Sequence, residues 1–403
     1  MIIILLFGVA LLFAAMMSGI AERTVLSIAA IFLLIGFIAG QGVIGLVRID
    51  TDSQDLFSFV RVAMVAILYT DGMKIGKEDL LDVWILPGRA LLLGLPLTLL
   101  IMALLARLIL ELNWLESFLV AAVLSPTDPV FTSTIVSQEA VPVRLRRLLN
   151  VESGINDGIA LPIVLAMLAL LGAEELEVGK WFLEILIGIV IGIGIPWVVL
   201  MLKKIKIFSI TKAYAPLIGL AVVVLVFSTA ELVGANSFLA AFFAGVTVAT
   251  IDPGVRDVFM KHGELVSRLF KLGGVLLFGA LLKLNTFFEV QPLIYLYALL
   301  VLILARPIAI SLSLLGSRTN WRDRLVASWF GPRGFASVVY GLLVLGSGIP
   351  GARDLFLLIA VVVTGSIVIH SSTDGLAVRY YQNIEEQKET QQEQDRQGSA
   401  DQA

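Results

Sequence analysis

The sequence predicts an all-α polytopic membrane protein with thirteen transmembrane helices, and three observations lead there. The 403 residues are 58% hydrophobic and only 15% charged, with a mean hydropathy of +0.96, where a soluble domain carries about a quarter of its residues charged. Thirteen apolar runs, each near the roughly 20 residues that one bilayer crossing takes, fill most of the chain. Basic residues alternate between the connecting loops, as they do around membrane spans.

The runs fall near 1–20, 25–46, 56–71, 86–110, 115–137 and 148–171, then 181–202, 213–233, 237–250, 265–282, 291–315, 325–347 and 354–378. The first opens MIIILLFGVA without a basic stretch before it, so a retained helix is expected rather than a cleaved signal. Residues 1–382 thus form the membrane domain. Residues 383–403, rich in Glu and Gln, are expected to be a disordered tail.

Eighteen lysines and arginines fall in the odd-numbered loops against five in the even ones. Arg144, Arg146 and Arg147 crowd one odd loop, and Arg256, Lys261, Arg268 and Lys271 another. This bias predicts an outside N-terminus and a cytoplasmic tail. Net charge is −3, and without a dense basic patch nucleic acid is not an expected partner. The chain has no cysteine, so thiolate metal sites, disulfides and cysteine nucleophiles are excluded.

An ionisable group inside a span costs about 2.5 to 3.5 kcal/mol even on lenient scales, so it points to function. Arg61 sits near the end of span three, where its side chain can snorkel to the interface. Span five contains Ser125-Pro126-Thr127-Asp128-Pro129, whose two prolines should free backbone carbonyls around a carboxylate and break the helix. Span six begins with Asn150, Glu152, Ser153, Gly154, Asn156, Asp157 and Gly158. Helical spacing puts Glu152 and Asn156 on one stripe, Ser153 and Asp157 on the next, and Gly154 with Gly158 on a small-residue face suited to close helix approach.

Asp157 lies nine residues from the predicted inner end of its span, about 14 Å at 1.5 Å per residue. Asp128, Arg306 and Arg333 come to a similar depth, two charges of each sign that suggest ion pairing, and Glu152, of opposite charge to Arg306 at similar depth, is expected to form a structural ion pair with it. Pro332, with Gly331 and Gly334 beside it, makes span twelve a second broken helix. Spans five and twelve are seven apart, an odd offset, so spans one to six and eight to thirteen read as inverted repeats with span seven as connector.

The strings SPTDPV, NVESGINDG, ARP and PRG, with AELVGANSFLAAFFAG and LYTDGMKIGKEDL, resemble the monovalent cation:proton antiporter-1 family, the prokaryotic sodium/proton antiporters of NhaP type. The resemblance covers all thirteen spans. It implies a dimer in a prokaryotic inner or plasma membrane, with a moving core, crossed unwound helices and alternating access. By motif it makes Asp157 the cation and proton acceptor, Asp128 a shaper of the site, and Ser153 and Thr127 oxygen ligands for Na+. Glu152, Asn156 and Arg306 resemble the family's stabilising cluster, with Arg333 near the helix crossing. Asn156, where the electrogenic branch has an aspartate, implies electroneutral one-for-one exchange without a cofactor.

The chemistry is intelligible from the residues as well. Hard oxygens suit Na+, and one carboxylate that takes either a cation or a proton couples the two fluxes. Oxygen ligands leave Li+ and K+ open, so a potassium/proton exchanger remains an alternative, as does a monovalent cation channel. An intramembrane aspartyl protease would also need two carboxylates at one depth, but its GxGD motif is missing, and the chain is not expected to be an enzyme. His370 is expected to satisfy a helix contact rather than to relay protons.

Overall fold

The computed structural model describes residues 1–21, 27–49, 53–75, 85–128, 135, 138, 140–172, 178–205, 211, 214–317 and 319–400. The described residues form helices and connecting turns, with no strand among them. The order is α1 (Ile2–Ala21), α2 (Ile28–Ala39), α3 (Gln54–Met73), α4 (Ile85–Arg89), α5 (Leu95–Ile109), α6 (Trp114–Leu124), α7 (Val143–Gly172) and α8 (Val178–Lys203). There follow α9 (Ala215–Leu232), α10 (Ser237–Ile251), α11 (Pro253–Leu281), α12 (Leu284–Glu289), α13 (Pro292–Leu300), α14 (Arg306–Ser313), α15 (Trp321–Trp329), α16 (Phe335–Gly346) and α17 (Ala352–Ala400).

Among the described residues, seven helical segments are long and apolar enough to cross a membrane, and five shorter apolar helices accompany them. Helix α11 belongs to neither group. It starts at Pro253, twelve residues before the predicted span, because Asp252 caps it by accepting from the Val255 N–H at 3.1 Å and holds Lys203 at 2.7 Å. Its first half is amphipathic and its second half is buried from Lys271 to Leu281.

Local chemistry sets the other boundaries. Ser27 caps α2 through the Ala30 N–H, and Asn236 caps α10 through the Leu239 N–H. Asn113 and Glu116 form a reciprocal capping box at the start of α6. Just before it the chain reverses through Glu111 at φ +57°, and Arg107 donates to the carbonyls of Glu111 and Leu112.

Among the described residues two helices carry a π-turn, Ala90–Gly94 between α4 and α5 and Val301–Ala305 between α13 and α14. Both run into a helix with proline at its second position, Pro96 and Pro307. A proline lacks the N–H that an α-turn would use, so the carbonyl spacing relaxes just before it. The two segments pack on each other: a Cβ at Gly94 would meet Ile310 at 2.7 Å and Ser313 at 3.2 Å.

Glycines bring further pairs of helices to backbone contact, α2 with α11 and α3 with α10 among them. A Cβ on Gly40 would lie 2.4 Å from the Ala280 backbone, and Gly36 and Gly279 are as tightly enclosed, locking α2 to α11. Gly72 against the Phe242 carbonyl and Gly245 against that of Tyr69 lock α3 to α10. Between helices in lipid such packing supplies the attraction that water would otherwise drive. Peripheral and central helices separate accordingly, with 11% of Ile2–Gly19 buried against 67% of Gln54–Met73.

Two expectations are altered and a third is extended. Helix α17 continues through the polar segment to Ala400, where disorder was expected. Glu, Gln and Lys are good helix formers, and elongating an existing helix avoids the cost of nucleation. Lys271, counted among loop charges, is 2% exposed in the interior. Its neighbours Arg268 and His262 concealed this, because a charge cluster reads as solvated wherever burial cannot be seen. Arg61, expected to snorkel to the interface, is half exposed and in addition pairs with Glu231 at 3.0 Å.

Candidate functional site

Helix α6 ends at Leu124, and Ser125–Asp128 leave the helix. Pro126 explains the stop, since it cannot donate to the preceding turn. Pro129 and the rest of span five, apart from Ile135, lie outside the described residues. On the other side α15 ends at Trp329 and α16 starts at Phe335, with Pro332 between them. The two non-helical segments bond directly: the Asp128 N–H donates to the Pro332 carbonyl at 2.9 Å.

Asp128 is buried, and its carboxylate ties three elements together. Oδ1 accepts from Lys271 Nζ of α11 at 3.1 Å, and Oδ2 faces the Phe335 N–H at 3.4 Å. That N–H belongs to the first turn of α16, where unpaired amides and the helix dipole favour an anion. Arg333 donates to the Ser125 carbonyl at 3.2 Å through its guanidinium and to Ser366 Oγ at 2.8 Å through its backbone N–H.

Helix α7 runs alongside with its polar face buried. Ser153 donates its hydroxyl to the Thr127 carbonyl, and Asn156 Nδ2 donates to Thr127 Oγ1 at 2.7 Å. The broken segment thus has its freed carbonyl satisfied by the helix that carries Asp157. Asp157 is 2% exposed, its own carbonyl accepts from the Tyr340 hydroxyl at 2.7 Å, and its Oδ1 has no hydrogen-bond partner among the described residues. The charged groups acting on it through space are Lys271, Asp71, Asp128 and Lys74.

Asp71 and Lys74, at the end of α3, complete this pocket. They pair at 2.6 Å, and Lys271 Nζ lies 3.7 Å from the second oxygen of Asp71. Gly154 faces this pair, where a Cβ would make ordinary van der Waals contact with the Asp71 carbonyl at 3.6 Å. Gly158 meets the Phe242 ring rather than a helix backbone.

A second charge group lies apart. Arg306 meets Glu152 through both terminal nitrogens, at 2.5 and 3.0 Å. Arg333 has Arg306, Glu152 and Tyr297 as its electrostatic neighbours. His370 bonds back to Ser366 in its own helix and stacks on Trp329.

The expected Glu152–Arg306 pair is thus present, while the expectation that Arg306 or Arg333 balances Asp128 and Asp157 is corrected. Arg306 belongs to Glu152, and Arg333 reaches a carbonyl beside Asp128 but not its carboxylate. The cation on Asp128 is Lys271, supplied by an element whose depth the sequence misjudged. Asp71 was also missed. It lay in the string LYTDGMKIGKEDL, and an aspartate one turn before a lysine reads as a helix-end pair.

Together these features define an all-helical, polytopic membrane fold with a buried carboxylate pocket where α6 ends. The chain belongs to the sodium/hydrogen exchanger family, whose transmembrane-region model matches residues 8–378. Its relatives include the K(+)/H(+) antiporter NhaP2 of Shewanella sp. strain MR-4, 25% identical over 375 residues that make up 91% of this chain and 64% of that protein. The K(+)/H(+) antiporter NhaP of Alkalimonas amylolytica is 28% identical over the same shares. The Na(+)/H(+) antiporter of Schizosaccharomyces pombe is 26% identical over 261 residues, 58% of this chain and 54% of that one. The chain thus spans 64% of the length of the first of these curated relatives, and all three are named as transporters, not enzymes. In fold it is similar to the sodium proton antiporter MjNhaP1 from Methanocaldococcus jannaschii, with a TM-score of 0.73, 20% identity, and coverage of 94% of this chain and 98% of that one.

Proposed function

We propose that this protein is a secondary antiporter that exchanges one monovalent cation for one proton at Asp157, by alternating access. The observation that carries this reading is the buried Asp157 carboxylate, one oxygen of which lacks a partner among the described residues. Around it, Asp71, Asp128 and Asp157 face Lys74 and Lys271. Three carboxylates against two ammoniums leave one negative charge. One proton or one cation neutralises it, so the two ions compete for one place and the loaded pocket carries no charge in either form.

Na+ is the first reading, with Asp157, Asp128, Ser153 and Thr127 as the oxygen set. K+ is the second, favoured by relatives named as K(+)/H(+) antiporters. Glu152, Asn156, Arg306 and Arg333 hold the frame around the site.

Thirteen crossings in two inverted repeats complete the reading. A seven-span offset carries the π-turn of span four onto that of span eleven. It also exchanges two of the glycine-locked pairs, spans two and ten with spans nine and three. Assembly as a homodimer in a prokaryotic plasma membrane, with the N-terminus outside and the tail in the cytoplasm, follows from the family resemblance and the basic-residue bias.

Purified protein in sealed vesicles with an imposed pH gradient tests the function. Adding Na+, K+ or Li+ in turn should dissipate the gradient for at least one of them. No cation-dependent dissipation would remove the antiporter, and currents independent of protons would make it a channel.

A further inference from the structure

We propose that Lys271 is a tethered cation that sets the valence of the transported ion. Its Nζ lies 3.1 Å from Asp128 Oδ1 and 3.7 Å from Asp71 Oδ2, bridging carboxylates on two separate elements. The side chain is 2% exposed, so this ammonium belongs to the pocket and not to solvent. Its depth is built in by Gly274 one turn on, where a Cβ would lie 1.9 Å from the Phe335 ring, so α11 presses against the start of α16.

An ammonium carries the charge of one monovalent ion and is a compact point charge with no acceptor of its own. Between two carboxylates it fills a position that a mobile cation would otherwise take. With Lys271 present, the pocket lacks one positive charge, which suits Na+, K+ or a proton. Without it, three carboxylates would face Lys74 alone, leaving two negative charges among hard oxygens. That combination suits a divalent cation such as Ca2+, which binds carboxylate, carbonyl and water oxygens in flexible geometry. Arg333 does not substitute for Lys271, since its electrostatic neighbours are Arg306, Glu152 and Tyr297. Lys271 is thus a specificity-determining residue that excludes divalent ions by occupying one of two cation positions. This inference rests on the pocket around Asp157 being the exchange site.

The test uses the full chain purified in detergent, with thermal unfolding followed against NaCl, KCl and CaCl2 at constant ionic strength. Wild type, Lys271→Gln, Lys271→Arg and the double variant Lys271→Gln with Asp157→Asn are compared. Ca2+ should stabilise Lys271→Gln at concentrations lower by about tenfold or more than any effect on wild type. Lys271→Arg, which keeps the charge, should behave as wild type, and the double variant should lose the gain. An equal Ca2+ response in wild type and Lys271→Gln, or a gain in Lys271→Arg as well, would overturn the proposal.

A second measurement needs no variant: in wild-type vesicles Ca2+ should leave monovalent cation-driven pH change unaffected, and competitive inhibition would equally overturn it. Should Lys271→Gln not fold, this measurement decides. Absence of any monovalent exchange in wild-type vesicles would instead defeat the antiporter reading. Intact exchange with a Ca2+-indifferent Lys271→Gln would defeat only the role of the lysine.

Discussion

Arg306 joins Glu152 across the interface of α14 and α7, and the nitrogen that lies 3.0 Å from Glu152 also donates to the carbonyls of Ala327 and Phe330 at 3.3 Å. One guanidinium therefore neutralises a buried carboxylate and satisfies carbonyls that α15 leaves open at its end. Removing one member of a buried pair leaves an uncompensated charge, at a cost of about 3 to 5 kcal/mol. Arg306→Ala should lower the unfolding temperature in detergent along with transport. Arg306→Lys, which keeps the charge but loses the two-point contact, should fall between. Lost transport at an unchanged unfolding temperature would move Arg306 into the ion path.

Gly331 is coupled to the same pair, because a Cβ there would lie 2.0 Å from Arg306 Nε. Gly331→Ala must displace the guanidinium from Glu152, so it should destabilise in the same direction as Arg306→Ala. In the double variant the two losses should not add. Full additivity in thermal unfolding would mean that the alanine acts somewhere else.

Asp157→Asn should abolish exchange and leave the fold intact. It removes the charge that binds the cation, while the contact that positions this turn, from Tyr340 to the Asp157 carbonyl, runs through the backbone. The checks are elution as a single species, an unchanged unfolding temperature and vesicle exchange. Substantial exchange by this variant would end the assignment of Asp157.

Asp128→Asn should behave differently, because this carboxylate also holds Lys271 and faces the first turn of α16. A buried ammonium would lose its nearest counter-charge, so stability should fall together with transport. The contrast with Asp157→Asn is the informative result. Wild-type stability and cation affinity in Asp128→Asn would separate it from the pocket.

Stoichiometry follows from the charge count. If a proton and a cation neutralise the pocket equally, each cycle moves no net charge. With the potential clamped by potassium and valinomycin, the endpoint of sodium-driven pH change should be the same at zero and at inside-negative potential. An endpoint that shifts with potential would require a second group to exchange its proton.

The membrane architecture was legible because apolar run length is a coarse property that survives boundary errors of several residues. The helix ends at Leu124 and Trp329 were legible from Pro126 and Pro332, since proline next to a buried carboxylate has few structural uses. Lys271 and Asp71 were not. Both sit near the ends of apolar runs, where one helical turn decides between solvent and interior, and only the packing of α11 and α3 settles that turn. Arg306 was legible as a buried charge together with its partner Glu152, which matching depth and the family resemblance indicated and the structure pairs with it, whereas depth alone did not say which cation faces Asp128.

The carboxylate of Asp128 also bears on how the chain is made. One of its contacts, the Phe335 amide, lies 207 residues further on. At synthesis rates of about 5 to 20 residues per second, some 10 to 40 s separate the two on the ribosome. During that interval α6 is finished, yet the backbone and side chain of Asp128 have nothing from 332–335 to bond. The nascent carboxylate must stay hydrated near an aqueous edge until α15 and α16 arrive. The ion pocket is therefore a product of late assembly, completed only when the second half of the protein folds back onto the first.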